Sequence, residues 1–348
     1  MSDLLVSTAD DLLADLCTHE AVQEAERTGW APAAWQAVAE MGLPWIGVPE
    51  AAGGQGGTLP EALSVVRRAG YHGLPLPLAE TGLLGGWLLA SAGLEIPAGP
   101  VTVASPTTSL RYDGRTLSGT AARVPWARAA ERVVVLLPAD GRCVVASFDP
   151  ADLHVDPLSN LAGEPRDTVR FTDVPVDVVA PTAVDAEQLR LRGALTRVAL
   201  IAGALERVRD ITVRYTGERE QFGKPLNRFQ AVQEHLVHVA QQAALVGTAA
   251  DVAGREAERG GGLVEIACAK SLAGEAVHVA TAAAHQAHGA MGMTQEYALH
   301  QLTRRLWSWR REWGDAAFWQ VALGRVAAAR GADALYPLVT GGTSVLDG

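Results

Sequence analysis

Residues Arg214–Leu226 read Arg-Tyr-Thr-Gly-Glu-Arg-Glu-Gln-Phe-Gly-Lys-Pro-Leu, and Phe229-Gln230-Ala231-Val232-Gln233 follows almost at once. One apolar-periodic segment runs into this stretch and another runs out of it. Val198, Ile201, Leu205, Val208, Thr212 and Tyr215 recur at helical spacing before it, and Phe229, Val232, Leu236, Val239, Ala243 and Val246 after it. The stretch therefore reads as a connection between two long amphipathic helices. It carries a guanidinium (Arg219) near a helix end, a Gly-Lys-Pro turn, and amide side chains at the start of the next helix. Those groups suit a diphosphate and a purine edge. They equally describe a helix hairpin with an ordinary surface arginine.

The surrounding C-terminal sequence extends the helical pattern. Gly260-Gly261-Gly262 breaks the chain before a third helix, expected over Leu263 to about His285, whose face includes Ile266, Ala269, Ala273, Ala276 and Ala280. Small residues at those positions let helices approach closely, and a four-helix bundle is the natural product. Thr303–Gly314 interleaves arginines with tryptophans. The expectation is a helix with its Trp stems inward and its Arg side chains reaching out to solvent, with Arg–Trp cation–π contacts at a subunit interface as the alternative.

The middle of the chain changes period. Short β-branched runs at Val101–Ala104, Val133–Leu137, Cys143–Phe148 and Thr168–Phe171 are punctuated by turns at Asp113-Gly114 and Asp140-Gly141, which reads as a small antiparallel β-domain. Nearer the start, helices are expected over Trp30–Ala39, from Pro60 to Ala69, and over Ala79–Ala92. The cluster Gly53-Gly54-Gln55-Gly56-Gly57 has no preceding strand and no closing Gly-Lys-Ser/Thr, so it reads as a tight turn and not a phosphate loop.

Bulk properties exclude several classes. The 348 residues are 48% hydrophobic and 20% charged, enough for a large core and two or three domains. A net charge of −10 argues against nucleic acid as a partner. Cys17, Cys143 and Cys268 stand far apart and outside any metal-type spacing, so no metal is expected and a reducing, cytoplasmic compartment fits. The segment Thr81–Ala92 is too short to span a bilayer, and the first residues lack the pattern of a signal peptide.

Taken together, the stretch at Arg219 and the segment Gln286-Ala287-His288-Gly289-Ala290-Met291-Gly292 resemble the C-terminal signatures of flavin-dependent acyl-CoA dehydrogenases. Trp35, then Glu40-Met41-Gly42-Leu43, then Val48-Pro49-Glu50 and the glycine cluster resemble that family's N-terminal helical domain; Val169–Val176 resembles the last strand of its middle domain. The resemblance implies an α+β fold with an N-terminal helical domain (1–96), a middle antiparallel β-domain (97–184) and a C-terminal four-helix bundle (185–348). It implies FAD as cofactor. Carried over residue by residue, Arg219, Phe222 and Gln230 would touch an FAD bound mainly by a neighbouring subunit, and Gln286 and Gly289 would lie near its adenosine and diphosphate. Ala290 stands where the family has a second glycine.

The implied reaction is α,β-dehydrogenation of an acyl-CoA thioester, with electron-transfer flavoprotein as electron acceptor and either a homo-oligomer or a related dehydrogenase subunit as partner. It needs a carboxylate base. The family's two glutamate positions fall on Trp313 and near Gly193 in this sequence; Glu312 and Asp315 are the nearest carboxylates to the first. The family's Thr-Glu-Pro, Gly-Ser-Asp type loop is replaced by a shorter Ala104-Ser105-Pro106-Thr107-Thr108-Ser109, and a lone Trp126 stands in for its Trp-Ile-Thr strand, as a flavin contact or as a core residue. Both departures point to a subunit that completes FAD sites for a base-bearing partner, an arrangement the family uses for bulky ring-bearing or sterol-derived acyl chains. The reading is dehydrogenation by this chain alone or within a heteromer; a non-catalytic structural subunit that completes the FAD sites of a base-bearing partner and a same-fold flavin oxidase or monooxygenase are the alternatives.

Overall fold

The computed structural model describes residues 2–105, 109–139 and 141–341. The chain forms two compact units, Met1–Val65 with Pro75–Gly193, and Val66–Leu74 with Ala194–Gly348. The loop at 106–108 and the turn residue Asp140, both singled out in the sequence, lie outside the described residues.

The first unit opens with helices. They are α1 (Ser2–Leu16), α2 (His19–Thr28), α3 (Pro32–Glu40) and α4 (Leu59–His72), the last of which continues into the second unit. The periodicity reading found α3 and α4 but not α1 and α2. The start of α4 is fixed by a reciprocal cap: the Thr58 amide donates to the Glu61 carboxylate (2.9 Å) and the Glu61 amide to the Thr58 hydroxyl (3.3 Å). Those amide and hydroxyl donors hold the Glu61 carboxyl below the usual carboxylate range. The expected plain helix over Ala79–Ala92 differs from expectation. It contains a π-helical segment, Glu80–Gly86, before α5 (Trp87–Ser91). Its glycines permit close approach: a Cβ on Gly82 would stand 1.8 Å from the Pro44 carbonyl oxygen.

The β-region has two four-stranded sheets, ordered β1-β4-β5-β8 and β2-β3-β7-β6. Here β1 is Val101–Ala104, β2 Leu110–Tyr112, β3 Thr116–Pro125, β4 Arg132–Ala139, β5 Arg142–Phe148, β6 His154–Asp156, β7 Arg166–Pro175 and β8 Val179–Thr182. The pairs are antiparallel except β1 with β4, which is parallel. The sheets share one core, with Leu117, Val124, Val169 and Phe171 from one and Val133, Val135 and Phe148 from the other. Burying each such side chain contributes roughly 1.5–3 kcal/mol. Strand β3 escaped the sequence reading because its pairing with β7 is interrupted between Leu117 and Gly119 and between Ala121 and Val124, which destroys the two-residue alternation.

The second unit is helical. Its elements are α6 (Ala186–Glu218, entering from the first unit), a short hairpin of β9 (Glu220–Gln221) and β10 (Lys224–Pro225), α7 (Gln230–Glu258), α8 (Leu263–His288), α9 (Leu299–Trp309), α10 (Ala316–Arg330) and α11 (Leu335–Gly341). Helix α8 is the central member, burying alanines 269, 273, 276, 280 and 284. The end of α4 crosses α6 glycine to glycine. A Cβ on Gly70 would meet the Leu200 carbonyl oxygen at 2.2 Å, and one on Gly203 would meet that of Arg67 at 1.8 Å. Arg67 seals this crossing by pairing with Glu206 on α6 and with Asp251 on α7 (2.9 Å).

In α9 the expected division of Trp inside and Arg outside holds only in part. Trp309 is buried, but Arg305 is fully buried too and donates to the Gln301 carbonyl at 2.9 Å. Trp307 is partly exposed beneath the Arg310 guanidinium, 4.7 Å from its ring centre, so this cation–π contact lies within one chain.

Candidate flavin site and the turn after α9

Helix α6 ends at Glu218, and the chain reverses through the β9–β10 hairpin. Phe222 and Gly223, the two residues at its tip, have φ of 52° and 77°. Positive φ at both central positions defines the tight hairpin turn whose twist matches its strands, and Asn or Asp usually fills the first. A phenylalanine there costs of the order of 1 kcal/mol. Phe222 is nevertheless 90% exposed, with only the Phe229 ring edge-on 6.2 Å away. A strained backbone that presents an aromatic ring to solvent has no account in terms of folding alone. Arg219 sits at the base of the hairpin, where its carbonyl accepts from the Leu226 amide (2.9 Å), and its side chain is exposed. Gln230, the first residue of α7, is exposed as well, and the apolar stripe of α7 is only half-buried at Val232 and Leu236 before closing at Val239.

The second motif arrives from the other side. Helix α8 stops at Gly289, whose φ of 59° and ψ of −137° suit glycine, and nothing lies within 4 Å of where its Cβ would be. Gln286 and Gly289 are exposed. An aromatic stack joins the ends of α6 and α8. The Tyr215 and His288 rings lie 4.5 Å apart and nearly parallel, the Tyr215 hydroxyl reaches the His288 carbonyl at 3.4 Å, and Tyr297 packs on both rings. Burial holds the His288 and His285 imidazoles below their ordinary range and pushes the Tyr297 phenol up. The stack thus draws the two motif segments to one end of the unit. It was missed in the sequence because Tyr215 reads there as one more apolar stripe position.

The family's two base positions, Gly193 and Trp313, carry no carboxylate, and the candidates nearest the second are Glu312 and Asp315. Gly193 is buried in α6 and has no side chain. Trp313 and Gly314, in the turn between α9 and α10, have φ of 58° and 96°. Glu312 is bound to Arg197 at 2.6 Å; its side chain is 20% exposed while that of Arg197 is 1% exposed. Asp315 is the N-cap of α10 and accepts from the Phe318 amide at 2.9 Å. In the first unit, Trp126 is buried, with the Arg166 guanidinium 4.7 Å above its ring. Among the described residues no group of three or more His, Cys, Asp or Glu could hold a metal, and no helix is long and apolar enough to cross a membrane.

This architecture, with helical segments before and after a β-rich middle of the chain and a bundle that carries two exposed motif segments, defines a class. Residues 2–95 match the N-terminal domain of acyl-CoA dehydrogenase, and residues 188–310 match its C-terminal domain. FadE28, an acyl-CoA dehydrogenase of Mycobacterium tuberculosis, is 31% identical over 296 residues, covering 77% of this chain and 84% of its own. The chain belongs to the acyl-CoA dehydrogenase family, whose members are oxidoreductases. FadE34 of the same organism is 30% identical over 305 residues, 81% of this chain, and the match spans only 40% of FadE34. Among solved structures, the ChsE4–ChsE5 complex from Mycobacterium tuberculosis has the same fold, with a TM-score of 0.85 at 22% identity over 95% of this chain and 98% of that one.

Proposed function

We propose that this chain works in the FAD-dependent α,β-dehydrogenation of an acyl-CoA thioester as the subunit that completes a flavin site, the carboxylate base coming from a related partner subunit. The observation that carries the reading is Phe222, a ring held out to solvent on a strained hairpin tip beside an exposed arginine. The exposed groups fit a dinucleotide. Arg219 would pair with its diphosphate, Phe222 would cover an apolar ring face, and Gln230 and Gln286 would bond its polar edges. Open space over Gly289 leaves room for a phosphate to approach the backbone. FAD bound there supplies the acceptor for the hydride that leaves Cβ.

Removal of the Cα proton needs a carboxylate within hydrogen-bond reach and free to take it. Trp313 and Gly193 cannot serve. Releasing Glu312 would break its ion pair with the buried Arg197, a loss of roughly several kcal/mol, and Asp315 is engaged in a cap. The ChsE4–ChsE5 precedent supports a two-component assembly, and a bulky, sterol-derived acyl chain is the substrate class that the resemblance favours. Electron-transfer flavoprotein is the acceptor proposed to reoxidise the flavin.

The test is FAD retention. The purified chain should hold little flavin, and adding a base-bearing subunit of the family should raise the 450 nm absorbance of the purified complex. The Arg219→Ala variant should weaken FAD binding by the complex at least about tenfold, the scale of one charge-assisted hydrogen bond, and so lower that gain. Full flavin occupancy in the isolated monomer, unchanged by Arg219→Ala, would refute the reading.

A further inference from the structure

The chain contains 29 basic residues, yet its lysines are only Lys224 and Lys270. Lys224 is exposed, whereas Lys270 is fully buried on α8. Its ammonium donates to the carbonyl of Arg310 (2.8 Å), just past the end of α9, and to the carbonyl of Gly314 (2.7 Å), just before the cap of α10. One side chain thus clips the end of one helix to the start of the next, and the Arg310 carbonyl it takes up is one that the end of α9 leaves without a helical partner. One turn further along the same face of α8, Gly274 lies under Ala316. A Cβ there would come within 3.1 Å of the Ala316 side chain. Between the clipped residues, Glu312 is held by Arg197, and the Trp313 carbonyl accepts from the Trp319 indole at 3.1 Å. The carbonyls of Arg310, Trp313 and Gly314 and the Glu312 carboxylate are thus all tied down.

We infer that Lys270 is a positioning residue, which pins the Arg310–Asp315 turn and with it the left-handed conformation of Trp313. That this turn occupies the family's base position rests on the reading above; that Lys270 holds it does not. Glu312 and Asp315 face the ammonium with favourable charge, while Arg310 on the turn and Arg197 on α6 oppose it. Burial pulls Lys270 down to about 7, and opening the turn to water would return it to its ordinary value near 10. Protonation therefore favours the open turn, so local opening rises as pH falls between about 10 and 7 and is flat below that.

The test uses the whole chain labelled with ¹³C at lysine Cε, which gives two signals; Lys224→Arg assigns them. The Lys270 signal should titrate near pH 7. Amide exchange at residues 312–316, corrected for intrinsic rates, should report opening that grows roughly tenfold per pH unit lowered between about 10 and 7. In Lys270→Met, close in length and uncharged, opening should increase at least tenfold at pH 9 and lose its pH dependence, while exchange in the hairpin at Phe222 stays unchanged. If Lys270→Met fails to fold, the wild-type titration and exchange profile decide alone. A Lys270 signal that titrates near 10, the ordinary lysine value, or a turn whose opening is flat from pH 7 to 10, would overturn the assignment, whatever the outcome of the flavin experiment.

Discussion

Two turns of the second unit invite comparison, because both place an aromatic residue at positive φ directly before a glycine with positive φ. At the hairpin tip the pair is Phe222-Gly223; after α9 it is Trp313-Gly314. The first lies outside the packing, with Phe222 90% exposed and nothing within 4 Å of a Cβ on Gly223. The second is enclosed: a Cβ on Gly314 would stand 2.7 Å from both Phe318 and Trp319, and Lys270, Arg197 and the α10 cap hold the residues around it. The same local strain is offset by packing in one place and left uncompensated in the other. Uncompensated strain is what a ligand or partner contact would need to justify. The enclosed turn serves the fold of the chain itself.

The contrast predicts opposite phenotypes. The largest effect belongs to the enclosed turn. Arg197→Leu removes the ion-pair partner of Glu312 and should cost about 3 kcal/mol in urea unfolding, at the lower end for a broken buried pair because Glu312 is partly exposed. Gly314→Ala should follow at about 1–3 kcal/mol from its φ of 96° and the crowding of two aromatic rings, whereas Gly223→Ala pays the backbone term alone. The stack between α6 and α8 should show itself in pH. His285 and His288 are held below their ordinary value by burial, so both are neutral above about 6.5 in folded and unfolded chains alike. Below that, the unfolded chain takes protons first, so stability should fall as the pH drops from about 6.5, a loss that His288→Gln should reduce. The smallest expected change is at the hairpin: Phe222→Ser and Arg219→Ala should leave unfolding within about 0.5 kcal/mol of wild type while weakening flavin retention. A hairpin variant that unfolds the bundle, or a turn variant that spares stability but abolishes flavin binding, would erase the distinction.

Much of this was legible in the sequence for a physical reason. Helical periodicity survives in α6, α7 and α8 because each buries a continuous stripe, and the turn chemistry of Gly289 and the hairpin glycine is local. What was not legible depends on tertiary partners. The bulges that hide β3, the glycine-lined π segment within Ala79–Ala92, and the burial of Arg305 leave no periodic trace. Nor does the sequence tell that Glu312 spends its charge on Arg197, 115 positions away, or that Lys270 reaches the carbonyls beyond α9. A lysine inside an alanine-rich buried face, in a chain with only two lysines, was the available clue to the second of these.

In the proposed function this chain lacks a usable base of its own. The direct measurement is anaerobic bleaching of the flavin at 450 nm by acyl-CoA thioesters, including ring-bearing ones, with this chain reconstituted with FAD alone and then with a base-bearing subunit. The account predicts no bleaching on the enzyme timescale by the chain alone, rapid bleaching by the assembly, and no effect of Glu312→Gln or Asp315→Asn in this chain on the assembly's rate once folding is matched. Rapid bleaching by the isolated chain, lost in either of those variants, would contradict it.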